Sequence, residues 1–465
     1  MNQLRHFCNK LGVSMFLLLS AAYSCSDSIG DSYLPTSKPD TGGNVNPDGE
    51  KEDESELDTG TENTKYQDMP VVTITTENQA PITSKENYVN GSISISDIDR
   101  RYSEVQLFES GMKIRGRGNS TWNYEKKPYR IKLEDEQEVL GMHADKDWVL
   151  LANYCDKSLV RNITAMEISR RLEFSWTIDM IPVEVYLNGE YIGVYCFCQH
   201  KEVADHRIDI ADDDFLFELD KNMDEDVCFR SDLCKMPVML QNPEDPSQAI
   251  IDEAKTIFNE FETALYSENF TSPENGYAKY IDVDSFIKYY IIEELSYNID
   301  GKCCKSTFLT KEKGGKMEMY FVWDFDIAFG NCNYFGSFYN LDNGPTGFHT
   351  RDYLSDYWEG GVNYGNYGKG WYFRLFQDPA FVDKVQTKWN EVYPFLKTIP
   401  TLIDEHVKNM GTEPIKRNFE RWKILGKYTW PQTQPYPSTH AGEIEKLKEF
   451  YVSRLEWLNT ELNKL

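Results

Sequence analysis

The sequence predicts an α+β protein in which a sheet-rich first half precedes a helix-rich second half. Three observations predict it. From Met69 to Asp220 the chain is cut into short β-branched and aromatic runs bounded by turn residues. From Ser247 onward apolar residues recur at helical spacing over long segments. Set among those helices is a hairpin with an acidic motif at each end, Asn298-Ile299-Asp300 before it and Trp323-Asp324-Phe325-Asp326 after it.

The first 25 residues do not read as part of the fold. Arg5 and Lys10 make a basic start, Leu11–Ala22 is apolar but too short to span a bilayer, and Tyr23-Ser24-Cys25 closes it. This resembles a bacterial lipoprotein signal, which implies lipid attachment at Cys25 and a membrane anchor there. The run Cys25-Ser26-Asp27 resembles the start of surface-exported lipoproteins of the Bacteroidetes type. The expected location is therefore exported, at the outer membrane or cell surface, with the periplasm as the alternative. Residues 26–68 carry 12 Asp/Glu against 3 Lys/Arg, so −9 of the net charge of −27 lies in this stretch. With almost no large apolar residues it cannot offset its ordering entropy and is expected to be a disordered acidic linker.

Residues 69–465 make the expected folded domain, with a first lobe at about 69–222 and a second at about 245–465. Predicted strands are Pro70–Thr76, Tyr88–Ile95, Gln106-Leu107, Met112–Arg115, Lys127–Leu133 and Trp148–Ala152. Apolar spacing predicts a helix over Ser158–Leu172, with Ser158 as its N-cap. Pro182–Tyr195 is a hairpin, because Asn188-Gly189 adopts the positive φ angles of a two-residue turn. Asp214–Asp220 is one more strand. Helices are expected over Ser247–Ser267, Asp282–Tyr297, Phe381–Leu396, Ile399–Met410 and Gly442–Leu462.

At 40% hydrophobic and 14% aromatic, the chain can bury a large core. Its charge of −27 argues against nucleic acid as a partner, since a phosphate backbone would be repelled. In an exported protein some cysteines could pair, and Cys228 with Cys234, flanking a short polar turn, is the favoured pair. A structural zinc site lacks its ligand spacing.

The hairpin between the acidic motifs returns its two ends to one place, so Asp300 and the Asp324/Asp326 pair could share a site. Phosphoryl transfer needs such an arrangement, with one carboxylate to orient the attacking hydroxyl and another to hold a phosphate-bridging metal. Asp324 and Asp326 stand in an apolar run, where an unpaired charge is costly; the plain alternative is a salt bridge. Arg115, Arg117, Lys127, Arg130 and Lys132 form a basic cluster in an otherwise acidic chain, which favours anion binding.

Several blocks resemble the CotH family, the atypical kinases named for spore coat protein H. They are Arg117-Gly118-Asn119-Ser120-Thr121-Trp122 with Lys126–Lys132, Leu151–Asn162, Val183–Tyr195, Phe215–Asp220, Asn298–Asp300 and Trp323–Gly330. The resemblance implies an atypical protein-kinase-like bilobal fold with a β-rich N-lobe and a helical C-lobe. It implies transfer of the ATP γ-phosphate to a secreted or surface protein, with Mg²⁺ or Mn²⁺. On it, Asp300 is the catalytic aspartate, and Asp324 and Asp326 hold the metal, with Ser306 as a weaker hydroxyl ligand. Arg117, Gly118, Asn119 and Ser120 cover the phosphates, Lys127 or Lys132 neutralises them, and Glu218 joins the nucleotide site. Glu167 is a candidate partner for that lysine. The chain departs from the family at Cys198-Gln199-His200, where many members carry a glutamate, and at Lys305-Ser306, where kinases carry a metal-binding Asn.

The segment from Asn333 to Phe373 is rich in Tyr, Trp, Gly and Asn, which suits either glycan or peptide recognition or a long covering loop. Two alternative functions stay open: a non-catalytic surface module of pseudokinase type, and a two-carboxylate glycosidase.

Overall fold

The computed structural model describes residues 69–465 apart from 304, 334–343 and 353–369. The chain is α+β, with strands in the N-terminal part and helices in the C-terminal part. Seven strands close into a barrel: β1 (Val71–Thr76), β2 (Val89–Ser96), β3 (Leu107–Gly116), β4 (Tyr129–Val139), β5 (Met142–Leu151), β6 (Met180–Leu187) and β7 (Glu190–Gln199). The order is β1-β2-β3-β4-β5-β7-β6, and β1 and β6 seal it as a parallel pair, with Val71 opposite Glu184 and Ile74 opposite Leu187. Every other neighbour is antiparallel. Alternation does the sorting: Val72 and Ile74 of β1 and Ile131 and Leu133 of β4 point inward onto Trp148, Val183 and Phe197. Closure removes the exposed strand edges that an open sheet would leave.

A second antiparallel sheet has the order β12-β11-β8-β10-β9, built from β8 (Phe215–Leu219), β9 (Cys228–Arg230), β10 (Pro237–Asn242), β11 (Thr307–Lys311) and β12 (Met317–Val322). It shares one large apolar core with α1 (Arg161–Leu172), α2 (Gln248–Leu265), α3 (Val283–Ser296) and the C-terminal helices. Ser247 and Asp282 cap α2 and α3 through their side chains. The α3 helix ends at Tyr297, whose left-handed φ of 49° turns the chain into Asn298–Asp300.

Several expectations change. Leu107 and Met112–Arg115 belong to one strand, β3, because its middle, Glu109 to Gly111, pairs with β2 despite its polarity; the strand starts after Gln106. Ser158 does not cap α1: the N-cap position is Val160, and the buried Asp156 carboxylate accepts from the Ser158 and Arg161 N–H groups. Cys228 and Cys234 are separate thiols, the first exposed at the start of β9 and the second buried in the connection between β9 and β10. Strands β9 and β10 and the helix Thr412–Arg421 went unread, the last because Pro414 lies in its first turn, a position a helix tolerates. The aromatic segment lies largely outside the described residues, as do Cys25 and the acidic linker. Its described members Trp371 and Tyr372 are core residues, 2% and 3% exposed.

Candidate active site

A cleft of about 870 Å³ opens between the barrel and the second sheet. Into it the fold brings Arg117, Gly118, Asn119 and Ser120 from the end of β3, Glu218 from β8, and Asp300, Ser306, Asp324 and Asp326 from the two ends of the β11–β12 hairpin. Lys127 and Lys132 are not brought there. Lys127 Nζ donates to Trp122 O at 2.7 Å and lies over the Trp122 ring. Lys132 pairs with Asp147 at 2.9 Å on the flank of the barrel.

The acidic hairpin delivers three carboxylates to different settings. Asp300 follows the α3 C-cap and is held by Lys305 Nζ at 3.1 Å, while the Lys305 N–H donates to Asp300 O at 2.8 Å. Asp324 and Asp326 do not share one face of an extended strand, because β12 stops at Val322. Asp324 has φ +69°, a left-handed conformation costly for a residue with a Cβ, which turns it into the open cleft. Solvent reaches its side chain, yet the cleft walls strip away much of its hydration. That dehydration raises its pKa, Arg117 opposes the rise and Asp300 adds to it. Asp326 is buried and accepts from Cys155 Sγ at 3.1 Å. Burial raises its pKa first, and the neighbouring Asp324 charge raises it further. At Asp324 dehydration outweighs the pull of Arg117, and at Asp326 the neighbouring like charge adds to burial.

The opposite wall is basic. Arg117 stacks over Trp323, 5.5 Å from the ring centre. Dehydration lowers its pKa and Asp324 opposes the fall. Lys201, just past β7, pairs with Glu218 at 2.7 Å and lies over the Phe308 ring. His200 beside it is held neutral, by burial first and then by the charges of Arg130, Arg117 and Lys201. Glu167 takes no part: its partners are Arg170 at 3.4 Å and His406 at 3.8 Å, away from the cleft. The rim at Gly116–Ser120, expected to cover phosphates, also differs in detail. The Gly116 N–H donates to Ser84 O and the Arg117 N–H to Pro128 O, so both are used internally. A side chain on Gly116 would strike the Trp122 ring at 2.3 Å, so this glycine makes room for a tryptophan.

The loop before α1 locks the Trp323–Asn331 segment in place. Arg161 and Asp156 form a fully buried pair at 2.6 Å, and Arg161 Nε donates to Ala328 O. The Phe325 N–H, between the two acids, donates to Asn162 Oδ1 at 2.8 Å. Asn331 Nδ2 bridges Asp326 O and Cys155 O at 2.8 and 3.0 Å. Arg161 and Asn162 thus hold this segment to the loop that contains Asp156. Sequence reasoning missed Lys201, His200 and Cys155. The departure at Cys198-Gln199-His200 was the available signal, since it marked the strand end that enters the cleft.

A separate acidic group, Asp145, Asp147 and Glu202, places its oxygens within 4.8 Å of one another, close enough for a metal ion. Its charge is already answered by Arg130, Lys132 and Arg207. The three cleft acids are not gathered that tightly. This suits a metal that takes one or two carboxylates and completes its shell from phosphate and water.

No curated protein matches the chain. The sequence model of the family described as CotH kinase protein matches residues 114–458, from the end of β3 to the last helix. That stretch contains every carboxylate and cation of the cleft named above, and the chain belongs to the CotH kinase family.

Proposed function

We propose that this protein is a kinase-like phosphotransferase that passes the γ-phosphoryl group of ATP to a hydroxyl of a secreted or surface protein. The observation that carries the reading is the joint lining of one cleft by Asp300, Asp324, Asp326, Arg117 and Lys201. Its volume suits a nucleotide, and acids face bases across it. The barrel on one side of the cleft, and the second sheet with its helices on the other, would serve as the two lobes of a kinase-like fold.

The donor set fits a divalent ion. Two oxygen ligands with raised pKa values, one exposed to the cleft, gain from a cation that offsets their mutual repulsion. Asp324 and Asp326 would hold Mg²⁺ or Mn²⁺, with Ser306 beside them, and the ion would supply charge neutralisation to the phosphates. Asp300 orients the acceptor hydroxyl and takes its proton, while the ion pair with Lys305 holds the carboxylate in place. Arg117 and Lys201 neutralise phosphate oxygens, and Glu218 keeps Lys201 in place. Positioning and charge stabilisation supply most of the catalysis in such a site. Lipid attachment at Cys25 would tether the enzyme outside the cell, where its acceptor is found.

The test is transfer of label from γ-labelled ATP with Mg²⁺ or Mn²⁺ to the protein itself or to a casein-like acceptor, alongside thermal stabilisation by nucleotide and metal. Transfer lost in Asp300→Ala and in the Asp324→Ala/Asp326→Ala double variant supports the reading. Stabilisation by nucleotide without transfer, or by glycan alone, supports a non-catalytic surface module and rejects the kinase.

A further inference from the structure

One buried acid under the cleft has no part in the mechanism above. Glu293, in the last turn of α3, is 2% exposed. Its carboxyl fills the space directly beneath Gly301, the residue after Asp300: a Cβ on Gly301 would lie 1.9 Å from Glu293 Oε2 and 2.6 Å from Asn298 Nδ2. Glu293 thus packs between the helix and the turn Asn298–Gly301, and among the described residues its Oε2 is buried with no hydrogen-bond partner. The Asn298 N–H also donates to Glu293 O at 3.3 Å. On the other side of the turn, Thr307 Oγ1 donates to Gly301 O at 3.0 Å and shares a 2.8 Å bond with Tyr289 OH. Tyr289 OH also accepts from the Cys303 N–H at 3.2 Å.

We propose that Glu293 is a positioning residue that fixes, from beneath, the turn carrying Asp300 into the cleft; this rests on the reading of Asp300 as the catalytic carboxylate. The groups facing Glu293 among the described residues are Asn298, Tyr289 and Tyr372, none of them a cation at neutral pH. Burial without a positive partner pushes the carboxyl well above its ordinary range, so it is neutral when the cleft works. A neutral acid can donate as well as accept, whereas a carboxylate can only accept. Glutamine reproduces that neutral shape, and alanine leaves a void under the turn.

The experiment compares the wild type with Glu293→Gln, Glu293→Ala and Gly301→Ala. It measures kcat and KM for ATP in the transfer assay and amide hydrogen exchange over residues 298–306. The expected result is that E293A and G301A speed exchange in this turn and lower kcat by about 100-fold, the cost of a misplaced catalytic group, with KM for ATP unchanged. E293Q restores both readouts. Wild-type exchange and kcat in E293A, or E293Q failing as fully as E293A, would overturn the proposal. A loss of melting temperature with unchanged kcat per folded molecule would overturn it as well. If E293A does not fold, G301A against E293Q carries the comparison. Absence of transfer in the wild type would defeat the reading of Asp300 instead, and the exchange data would still decide whether Glu293 orders the turn.

Discussion

Lys201 Nζ stands 2.7 Å from Glu218 Oε2 in the wall of the cleft, two residues 17 positions apart in the chain and separated by a change of sheet. Gln241 Nε2 donates to the same carboxylate oxygen at 3.1 Å, so Glu218 is held from two sides. Lys127 and Lys132, expected in the site from the sequence, do not line this cleft, whereas Lys201 does.

Lys201→Met is expected to weaken ATP binding by about ten-fold or more, the worth of a hydrogen bond to a charged group. Glu218→Gln should do less, because Gln241 still holds the side chain. Lys127→Met and Lys132→Met should leave nucleotide affinity unchanged, as their ammonium groups are committed to Trp122 O and Asp147. Titration calorimetry with ATP and Mg²⁺ checks the ranking, and a greater loss in K127M or K132M than in K201M would refute it.

The Asp156–Arg161 pair is buried on both sides. Breaking it by Asp156→Ala strands a guanidinium in the core and should cost about 3–5 kcal/mol of stability. Asn162→Ala acts more locally. It leaves the Phe325 N–H without its acceptor, at about 1–3 kcal/mol, and loosens the turn between Asp324 and Asp326. Denaturant midpoints should therefore fall further in D156A, whereas N162A should lose transfer activity out of proportion to its stability.

Lys126 is buried where the barrel meets the helix Thr412–Arg421. Its ammonium donates to Val194 O and to Asn418 Oδ1, with no carboxylate among those partners. Burial lowers its pKa from 10.5 to about 7. In the window between those two values the unfolded chain binds a proton that the folded chain does not, so stability rises with pH across it. Below about pH 7 both states are protonated and this contribution to the slope vanishes. Lys126→Met should remove the rise between pH 7 and 10, seen as a flatter melting temperature against pH than the wild type. An identical slope in both proteins would show that Lys126 does not titrate in this way.

The legible parts were those governed by neighbours in the chain. The Asn188-Gly189 turn has the positive φ angles, 52° and 82°, that its dipeptide demands. Asp282 and Ser247 cap the helices they precede. The two acidic motifs meet because a short hairpin must return to its start. What was misread depended on distant partners. Asp324 looked like a strand residue among apolar neighbours, but strand pairing stops two residues earlier and its φ is positive. Lys127 and Lys132 looked free to meet phosphate until Trp122 and Asp147 claimed them.

By itself, then, the sequence determined most of the strands and helices, the main turns and the acids at the two ends of one hairpin, because periodicity, capping and turn chemistry act within a few residues. Only the tertiary structure decided that the first seven strands close on themselves through a parallel β1–β6 seam, and that Lys201 faces Glu218 in the cleft. Barrel closure and charge pairing join residues far apart in the chain, and burial chooses between their partners by the cost of leaving any one charge alone.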